Sequence, residues 1–344
     1  MLNHKLESAL LLTTIIIGSF CMQQFSALTK ANAENTPIPG DLDSDGAVNA
    51  SDLNILASAY GSTPNDARWN PGADINNDSK VGLPDLVIMA ASYGKTVEGY
   101  YVLKAAFHIH TTYSNGTYTP AEVVDLYKFS GFGFNVISVT DYNSIDGSFA
   151  GVAEARAEGQ RVGMIVIGGQ EIISQFPQNN GSTVFKHILA LFLTQPIPNP
   201  YSTYRTNEVQ WYFDAIHNQS GIGIVAHSWG MNDQTVTGTS ASPWWQFRNA
   251  SYIDGWEIFN YGMMGNGMTD DEISTVLDNG KIPIASHDFH HAAITNSTYN
   301  LLFCNNKTEE GVKDALLNRR IVVCNYGKVY GAINATNLYH QLYG

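Results

Sequence analysis

The stretch AAFHIHTTYSNGTY, residues 105–118, continues an apolar run, ends it in two histidines and then turns into small polar residues. Residues two apart in a β-strand point to the same side of that strand. His108 and His110 are therefore predicted to direct two imidazoles to one place, where the strand meets a loop. This placement raises the question of what the two side chains hold.

The run is the first of seven apolar runs from Tyr100 onward, which alternate with stretches of helical character. One such stretch, TPAEVVDLYKF (119–129), opens with Thr119 as N-cap, Pro120 in the first turn and Glu122 three residues after the cap, which is a capping box. Repeated strand-then-helix units over the remainder of the chain predict an α/β domain, either a parallel barrel or a doubly wound sheet.

Side chains with metal-binding chemistry stand at or near the ends of these runs. Besides the first two histidines they are Asp141, Glu171, His227, Asp288 and His290, with His187 at the head of the fourth run. Ligands and catalytic groups in α/β folds collect at the C-terminal ends of strands. A mixture of imidazoles and carboxylates suits Zn, Mn or Fe. The two histidines of the opening stretch are therefore expected to hold a metal.

The order H-x-H, T-D, G-x-E, H, A-H and D-x-H resembles the PHP (polymerase and histidinol phosphatase) family. The motifs here are FHIHTTYSNG, VTDYN, GGQEI, KHILAL, VAHSWG and SHDFHH, within residues 103–330. The resemblance implies a distorted (β/α)7 barrel with a metal cluster at its C-terminal mouth. It also implies two ligand sets that share Glu171 as a bridge: His108, His110, Glu171 and Asp288 for one metal, and Glu171, His187 and His227 for the next.

Two positions depart from that family's pattern. Tyr142 stands where the family usually has His, and Asn115 stands where it commonly has Asp. In three-metal members these two positions and the last histidine, here His290, hold a third ion. A phenol and an amide are poor replacements for an imidazole and a carboxylate as ligands. We therefore expect a centre of two divalent transition-metal ions (Zn, Mn or Fe), with His290 released from coordination.

Two such ions, roughly 3.5–4 Å apart, would lower the pKa of a bridging water, so that it supplies hydroxide near neutral pH, and would polarise an ester oxygen. The chain is therefore predicted to be a metal-dependent hydrolase, most simply a phosphoesterase. The candidate catalytic residues are His290, Tyr142 and Asp141. His290 as general acid, or the Tyr142 hydroxyl as donor, would stabilise the leaving group.

The substrate is less well defined by the sequence. The candidate substrate-binding residues are Arg205, Arg248 and Trp229. Because arginine is sparse and the third metal is expected to be lost, a carboxylic ester or carbamate hydrolase on the same metals is an alternative. A secreted binding module with a vestigial metal site is another.

Two acidic repeats precede the α/β domain: DLDSDGAVNASDLNILASAYG (41–61) and DINNDSKVGLPDLVIMAASYG (74–94). Each repeat places oxygen side chains at loop positions 1, 3, 5 and 12, which is the pattern that a hard cation with several oxygen ligands requires. Gly46 supplies the turn at position 6 of the first loop, whereas Ser79 stands there in the second. The predicted ligands of two Ca²⁺ ions are Asp41, Asp43, Asp45 and Asp52, and Asp74, Asn76, Asp78 and Asp85.

Asp at position 12, one helix per loop and the duplication together resemble a type I dockerin over residues 38–96. The resemblance implies a cohesin-type partner on a scaffold or cell surface. The residues that usually contribute to cohesin choice differ between the repeats, with Ala50 and Ser51 in one and Leu83 and Pro84 in the other. A purely structural calcium clip is the alternative.

Residues 1–33 have an early Lys5, an apolar run and an Ala-Asn-Ala end, which is typical of a secretory signal peptide. The predicted organisation is therefore a signal at 1–33, the calcium-binding module at 38–96 and the hydrolase domain at 100–344, in a secreted or surface-attached protein without a membrane span in the mature chain. The net charge of −13 argues against a nucleic-acid partner. Cys304 and Cys324 could form a disulfide outside the cell or remain as buried thiols.

Overall fold

The structure is a computed structural model that describes residues 38–43, 46–96, 99–145, 147–177, 183–198, 208–228, 247–261, 266–291 and 294–343. The predicted signal peptide lies outside these residues, as do Asp45, Arg205 and Trp229. The chain divides into two compact units, with the boundary between Tyr93 and Gly94. No helix in the described ranges is long and apolar enough to cross a membrane.

Among the described residues of the N-terminal unit are two helices of equal length, α1 (Ala50–Ala59) and α2 (Leu83–Ser92). Each begins with a carboxylate in its first turn that accepts a backbone N–H from the cap residue: Asp52 from Asn49 at 2.8 Å and Asp85 from Gly82 at 2.7 Å. The helices enclose a small apolar core made of Val48, Leu56, Ala59, Ala73, Val81 and Met89. The duplication in the sequence is thus a duplication of a loop followed by a helix.

The C-terminal unit is built from strands and helices that alternate through much of its length. Its strands are β1 (Tyr101–Ala106), β2 (Phe134–Val139), β3 (Ile165–Pro177), β4 (Thr183–Leu191), β5 (Ile222–Val225), β6 (Gly255–Asn260), β7 (Asn266–Gly267), β8 (Ile282–Ser286), β9 (Thr298–Cys304), β10 (Ile321–Asn325) and β11 (Lys328–Gly331). Its helices are α3 (Pro120–Phe129), α4 (Gly151–Val162), α5 (Glu208–His217), α6 (Asp270–Asp278), α7 (Glu309–Leu317) and α8 (Ile333–Tyr343). The predicted capping box at Thr119 and Glu122 begins α3.

The strands form one sheet in the order β11-β10-β9-β1-β2-β3-β4-β5-β6-β7, with β8 paired to β6. The Asn300 side chain on β9 links β8 to β1, because its Nδ2 donates to the carbonyls of Ala105 (3.1 Å) and Ala285 (2.7 Å). A further parallel bridge joins Ile109 to Phe289, just beyond the ends of β1 and β8. The sheet is therefore nearly closed, as a barrel of β1 to β6 and β8.

An apolar cluster contributed by several barrel strands supports this description. It includes Leu103, Val136, Ile167, Leu189 and Ile284, which come from β1, β2, β3, β4 and β8. Residues of α7 join the same cluster. Side chains from strands that are distant in sequence thus share one interior, which fixes the positions of the strand ends.

The prediction of an all-parallel sheet is wrong for part of the molecule. The β3–β4, β4–β5, β1–β9, β9–β10 and β10–β11 pairs are antiparallel. For β3 and β4 the reason is the length of the connection, because only residues 178–182 separate the two strands and a parallel crossover needs roughly a dozen residues or more. The strand β3 extends well beyond the apolar run that predicted it, to Pro177.

The two cysteines of the C-terminal unit are buried free thiols. In the antiparallel register Cys304 lies opposite Tyr101, whereas Cys324 lies opposite Tyr299. The strands β9 and β10 are neighbours, but they place the two cysteines at different positions along the sheet. Of the two alternatives that the sequence left open, the structure has the thiols.

Candidate metal centre

Six predicted ligands lie together at one end of the nearly closed barrel. His108 and His110 follow β1, His227 follows β5 and Asp288 follows β8, while Glu171 and His187 lie within β3 and β4. The antiparallel register sets His187 opposite Ile173, so the early part of β4 reaches the same edge as the later part of β3. None of the six residues is more than 4 % exposed.

The carboxylate of Glu171 divides its two oxygens between two groups of histidines. Its Oε2 lies 3.0 Å from His108 Nε2 and 2.9 Å from His110 Nε2. Its Oε1 lies 3.0 Å from His227 Nε2 and contacts His187 Nδ1. One carboxylate therefore stands between two donor sets.

Asp288 completes the first donor set. Its Oδ1 is 3.3 Å from His108 Nε2 and 3.4 Å from His110 Nε2, and the two Nε2 atoms are 3.2 Å apart. The four ligand atoms of this set lie within 4.8 Å of one another, as do the three ligand atoms of Glu171, His187 and His227. These are the two sets that the family resemblance implied.

The hydrogen bonds behind the histidines fix which nitrogen faces the centre. His108 Nδ1 lies 2.9 Å from Glu257 Oε1, and a carboxylate can only accept, so Nδ1 carries the proton of the neutral ring. The Ser114 hydroxyl donates to Asp141 Oδ1, so Ser114 Oγ accepts from His110 Nδ1, which lies 3.2 Å away. In the neutral state both Nε2 atoms therefore present lone pairs to the same point. Such second-layer hydrogen bonds are usual around metal-binding histidines.

The buried Oε2 of Glu171 has no hydrogen-bond partner among the described residues. An acceptor that is buried without a donor is rare in native proteins. Here it faces two imidazole lone pairs and another carboxylate oxygen, all of which are electron donors. A divalent cation satisfies all four atoms at once, so the residues present fit a metal.

The buried carboxylates of the cluster also favour the binding of a cation. Burial lowers the pKa of His108, but the carboxylates of Asp288, Glu171 and Glu257 outweigh it and raise that pKa well above the usual range. Burial raises the pKa of Glu171, but His187 and His108 hold it well below its usual range. Without a cation the cluster would therefore bind protons, which a metal ion must displace.

Two of the ligands adopt an uncommon backbone conformation. His227 has φ of 21° and Asp288 has φ of 46°, in the region that favours glycine. Residues held in this region carry a conformational cost and cluster at functional sites. The His227 backbone N–H donates to Glu257 Oε2 at 2.6 Å, which helps to hold this conformation.

Two further residues of the candidate centre, Glu257 and Asn260 on β6, were not predicted from the sequence. Asn260 Nδ2 donates to Glu257 Oε2 at 3.1 Å and to Asp288 Oδ2 at 3.2 Å. Glu257 thus supports ligands of both sets, and it is completely buried. The available signal was a carboxylate inside the apolar strand GWEIFN, because a buried carboxylate requires partners.

Asp141, a predicted catalytic residue, is engaged by the loop that follows β1. Its oxygens accept from the Thr111 backbone N–H at 2.8 Å, the Thr111 hydroxyl at 2.6 Å and the Ser114 hydroxyl. Asp141 is not among the residues whose ligand atoms converge in the two sets. Through Ser114 it is connected to His110, so its described contacts are those of a residue that positions a ligand.

Tyr142 and His290 border the cluster. The Tyr142 ring lies 4.6 Å from the His110 ring. Burial, with the charges of Glu171 and Asp288, raises the pKa of Tyr142, which keeps the phenol protonated.

The His290 ring stacks on the His110 ring at 4.1 Å. His290 Nδ1 lies 2.9 Å from the backbone carbonyl of Asp288, to which it donates, and this leaves Nε2 to exchange protons. Burial and the neighbouring His110 lower the pKa of His290. Of the predicted substrate residues only Arg248 is described; it lies in the turn before β6 and belongs to neither ligand set.

The acidic loops of the N-terminal unit form a second group of possible ligands. Oxygens of Asp41, Asp43 and Asp52 lie within 4.8 Å of one another. In the second loop, Asp74 accepts the backbone N–H groups of Asp78 and Ser79, at 3.0 and 2.9 Å. Gly46 (φ 88°) and Ser79 (φ 68°) adopt the same left-handed conformation at position 6. The two loops therefore turn in the same way at this position, although only one has a glycine there.

No protein-family model matches the sequence, and no curated protein matches it. Among solved structures, the chain is similar to a two-domain protein from Bacteroides vulgatus ATCC 8482 that contains a predicted PHP-like metal-dependent phosphoesterase. The TM-score is 0.55 and the identity 20%, over 71% of each chain.

Two other solved structures resemble the chain with lower TM-scores. One is named as a candidate metal-dependent phosphoesterase from Bifidobacterium adolescentis ATCC 15703, with TM-score 0.42 and 14% identity over 62% of this chain and 95% of that one. The other is an amidohydrolase from Chromobacterium violaceum with bound sulfate, with TM-score 0.41 and 15% identity over 54% and 87%. The similarity to the first structure supports the predicted PHP-like barrel fold, to which the nearly closed α/β sheet conforms.

Proposed function

We propose that the C-terminal unit is a metal-dependent hydrolase of ester bonds, with phosphoesters as the first substrate class. The observation that carries the proposal is the division of the Glu171 oxygens between two buried donor sets. His108, His110, Glu171 and Asp288 would hold one cation, and Glu171, His187 and His227 the other. When bound, two such cations would polarise the ester and lower the pKa of a water molecule.

The chain's own residues have three tasks in this reaction. Glu257, Asn260 and Ser114 hold the ligands in orientation through the hydrogen bonds described above. Burial of the ligands excludes bulk water from them, which strengthens every electrostatic interaction in the centre. Tyr142 Oη and His290 Nε2 are the groups at the border that can donate a hydrogen bond or a proton to the leaving oxygen.

A carboxylic ester or carbamate substrate is the second candidate, and one feature favours it. The partners of the cluster described above are imidazoles, carboxylates, hydroxyls and an amide, and no Lys or Arg is among them. Enzymes that transfer phosphoryl groups commonly use Lys or Arg side chains to stabilise the additional negative charge of the phosphoryl group. An ester without a phosphate would not need them.

The test is hydrolysis of matched aryl phosphate monoesters, phosphate diesters and carboxylic esters by the metal-loaded full chain. Glu171→Gln is expected to reduce turnover of the preferred class to background, because it removes the shared charge. Glu310→Gln, an exposed substitution of the same type, is the control and should retain full activity. Metal bound by the wild type without turnover of any class would contradict the hydrolase proposal and favour a binding module.

The proton donor is tested with the same assay on two leaving groups. His290→Ala should slow an ester with an alkyl leaving group by roughly 10²–10⁴-fold but hardly affect a nitrophenyl ester, which needs little protonation. Metal content should be unchanged. Equal losses on both substrates, or a loss of metal, would mean that His290 is a ligand and that the proton comes from elsewhere, with Tyr142 next.

For the N-terminal unit we propose calcium binding and docking to a cohesin-type protein, in a secreted chain. The convergence of Asp41, Asp43 and Asp52 and the matching turns at Gly46 and Ser79 support calcium. The exposed Leu83 and Val87, one turn apart on α2, support docking, because large exposed apolar side chains on one helix face favour a protein contact. The predicted signal at residues 1–33 supports secretion.

A further inference from the structure

The two carboxylate ligands of the candidate metal centre, Glu171 and Asp288, each direct one oxygen to any one donor set. Glu171 divides its oxygens between the two sets. Asp288 directs Oδ1 to the histidines of the first set, at 3.3 and 3.4 Å. Its Oδ2 instead accepts the Asn260 amide at 3.2 Å. The hydrogen bond to Asp288 Oδ2 therefore limits the number of oxygens in the first set.

Asn260 is a neutral donor placed between two carboxylates. It lies opposite Ser286 in the parallel pair of β6 and β8, so its side chain reaches Asp288 two residues further on. Its Nδ2 also donates to Glu257 Oε2 at 3.1 Å. Because ionised carboxylates only accept, the atom between them must be the amide nitrogen. Asn260 is only 2 % exposed, so bulk water does not replace either contact.

Glu257 is a third carboxylate beside the centre, and its contacts keep it from acting as a ligand. Its Oε1 accepts from His108 Nδ1 at 2.9 Å, and its Oε2 accepts the His227 backbone N–H at 2.6 Å in addition to the Asn260 amide. Glu257 belongs to neither set of converging ligand atoms. The first set therefore consists of two nitrogens and two oxygens, and the second consists of two nitrogens and one oxygen.

This composition of the donor sets separates transition metals from calcium. Ca²⁺ takes about six to eight oxygen ligands and often binds a carboxylate through both of its oxygens. Zn²⁺ and related cations accept sets of about three or four nitrogen and oxygen donors. In the N-terminal unit the converging atoms of Asp41, Asp43 and Asp52 are all oxygens. A solution with enough calcium to fill the N-terminal loops must therefore leave the barrel centre to another cation.

We propose that Asn260 is a positioning residue that excludes calcium from the barrel centre, because it holds Asp288 to a single ligand oxygen. Without the amide, Asp288 Oδ2 would lose its donor and would turn to the cation. The first set would then offer three oxygens in place of two, which favours a hard cation. The inference rests on the metal centre of the proposed function but not on hydrolysis.

The test follows the displacement of Co²⁺ by calcium from the cobalt-loaded full chain, through the visible absorption of bound cobalt. Cobalt with few ligands absorbs more strongly than cobalt in a six-coordinate oxygen site, so the signal reports on the barrel while calcium fills the loops. In the wild type, about 10 mM calcium should displace almost no cobalt, although this concentration exceeds the dissociation constants of extracellular calcium sites. In Asn260→Leu, which approximately keeps the volume and removes the donor, calcium should compete about tenfold better relative to cobalt.

The ratio of the two affinities distinguishes positioning from a structural role. Competition with a metal-binding dye measures the cobalt affinity separately, and a structural role would lower the affinities for cobalt and calcium alike. The absorption per bound cobalt should also fall in Asn260→Leu, because an added oxygen raises the coordination number. Asn260→Ala should change the ratio in the same direction. Asn318→Leu, the same substitution at an exposed position, is the control and should change the ratio less than about twofold.

Three results would count against the proposal, and they can be distinguished from one another. A wild-type chain that binds no cobalt would contradict the metal centre and this proposal with it. Cobalt that binds the wild type but is displaced by about 10 mM calcium would show that the centre does not exclude calcium. An unchanged affinity ratio in both Asn260→Leu and Asn260→Ala would overturn the role of Asn260 and leave the metal centre intact.

Discussion

The barrel cluster and the duplicated acidic loops differ in how their donors are held before any cation binds. In the barrel, six ligands from five strands or strand ends are almost completely buried, and carboxylate, amide and hydroxyl groups fix several of them from behind. In the loops the donors are near one another in sequence, and Asp43, Asn76 and Asp78 are exposed. The barrel core orders its site, whereas the described part of the N-terminal unit has a core of six buried apolar residues.

If both groups bind cations as proposed, their binding depends on folding in opposite directions. The barrel has enough apolar surface to fold around its cluster, so the cluster is ready for the metal. A unit as small as the N-terminal one gains much of its stability from whatever holds its loops closed. Removal of the transition metal should therefore abolish hydrolysis without unfolding the barrel, while calcium removal should unfold the N-terminal unit.

The largest expected effect comes from removing each cation separately from the full chain. In 1,10-phenanthroline with calcium present, hydrolysis should fall to background while amide hydrogen exchange of residues 38–93 stays unchanged. In calcium-free buffer that retains the transition metal, amides of residues 38–93 should lose protection while hydrolysis stays constant. Loss of amide protection in the barrel in phenanthroline, or loss of hydrolysis in calcium-free buffer, would contradict the proposed difference between the two sites.

A smaller effect is expected from Glu257→Gln, which removes the charge behind His108 and keeps the shape. Transition-metal affinity should fall roughly 10–100-fold, as is typical when a second-layer partner of a ligand is changed. Competition with a metal-binding dye measures the affinity, and Glu310→Gln is the exposed control. Unchanged affinity in Glu257→Gln would mean that the barrel site does not rely on its supporting layer.

The sequence predicted that these six side chains come together, because each stands at or near the end of an apolar run and the fold collects such ends. It could not predict Glu257 or Asn260, because these residues act through partners that come from other strands. The direction of each strand could not be predicted from hydrophobic periodicity either, because an apolar run has the same pattern in a parallel and in an antiparallel strand. His187, near the start of its run, was the one indication that β4 is antiparallel.

The smallest expected effect concerns the turns of the acidic loops. Ser79 pays a conformational cost at φ 68° that Gly46 avoids at φ 88°, of about 1 kcal/mol. Ser79→Gly should therefore raise the calcium affinity of the second loop about fivefold, and Gly46→Ser should lower that of the first by a similar factor. Calcium titration by calorimetry measures both. Equal affinities in the wild type and the two variants would show that the turn is not part of calcium binding.

We propose that Glu171 bridges two transition-metal ions. The direct test is to count the transition-metal ions bound to the metal-loaded full chain by elemental analysis and native mass spectrometry. Calcium is counted separately by element. We expect two transition-metal ions per chain in the wild type and fewer than two in Glu171→Gln. Three firmly bound ions would show that Tyr142 or Asn115 is a ligand after all. Two ions retained in Glu171→Gln would contradict the bridge itself.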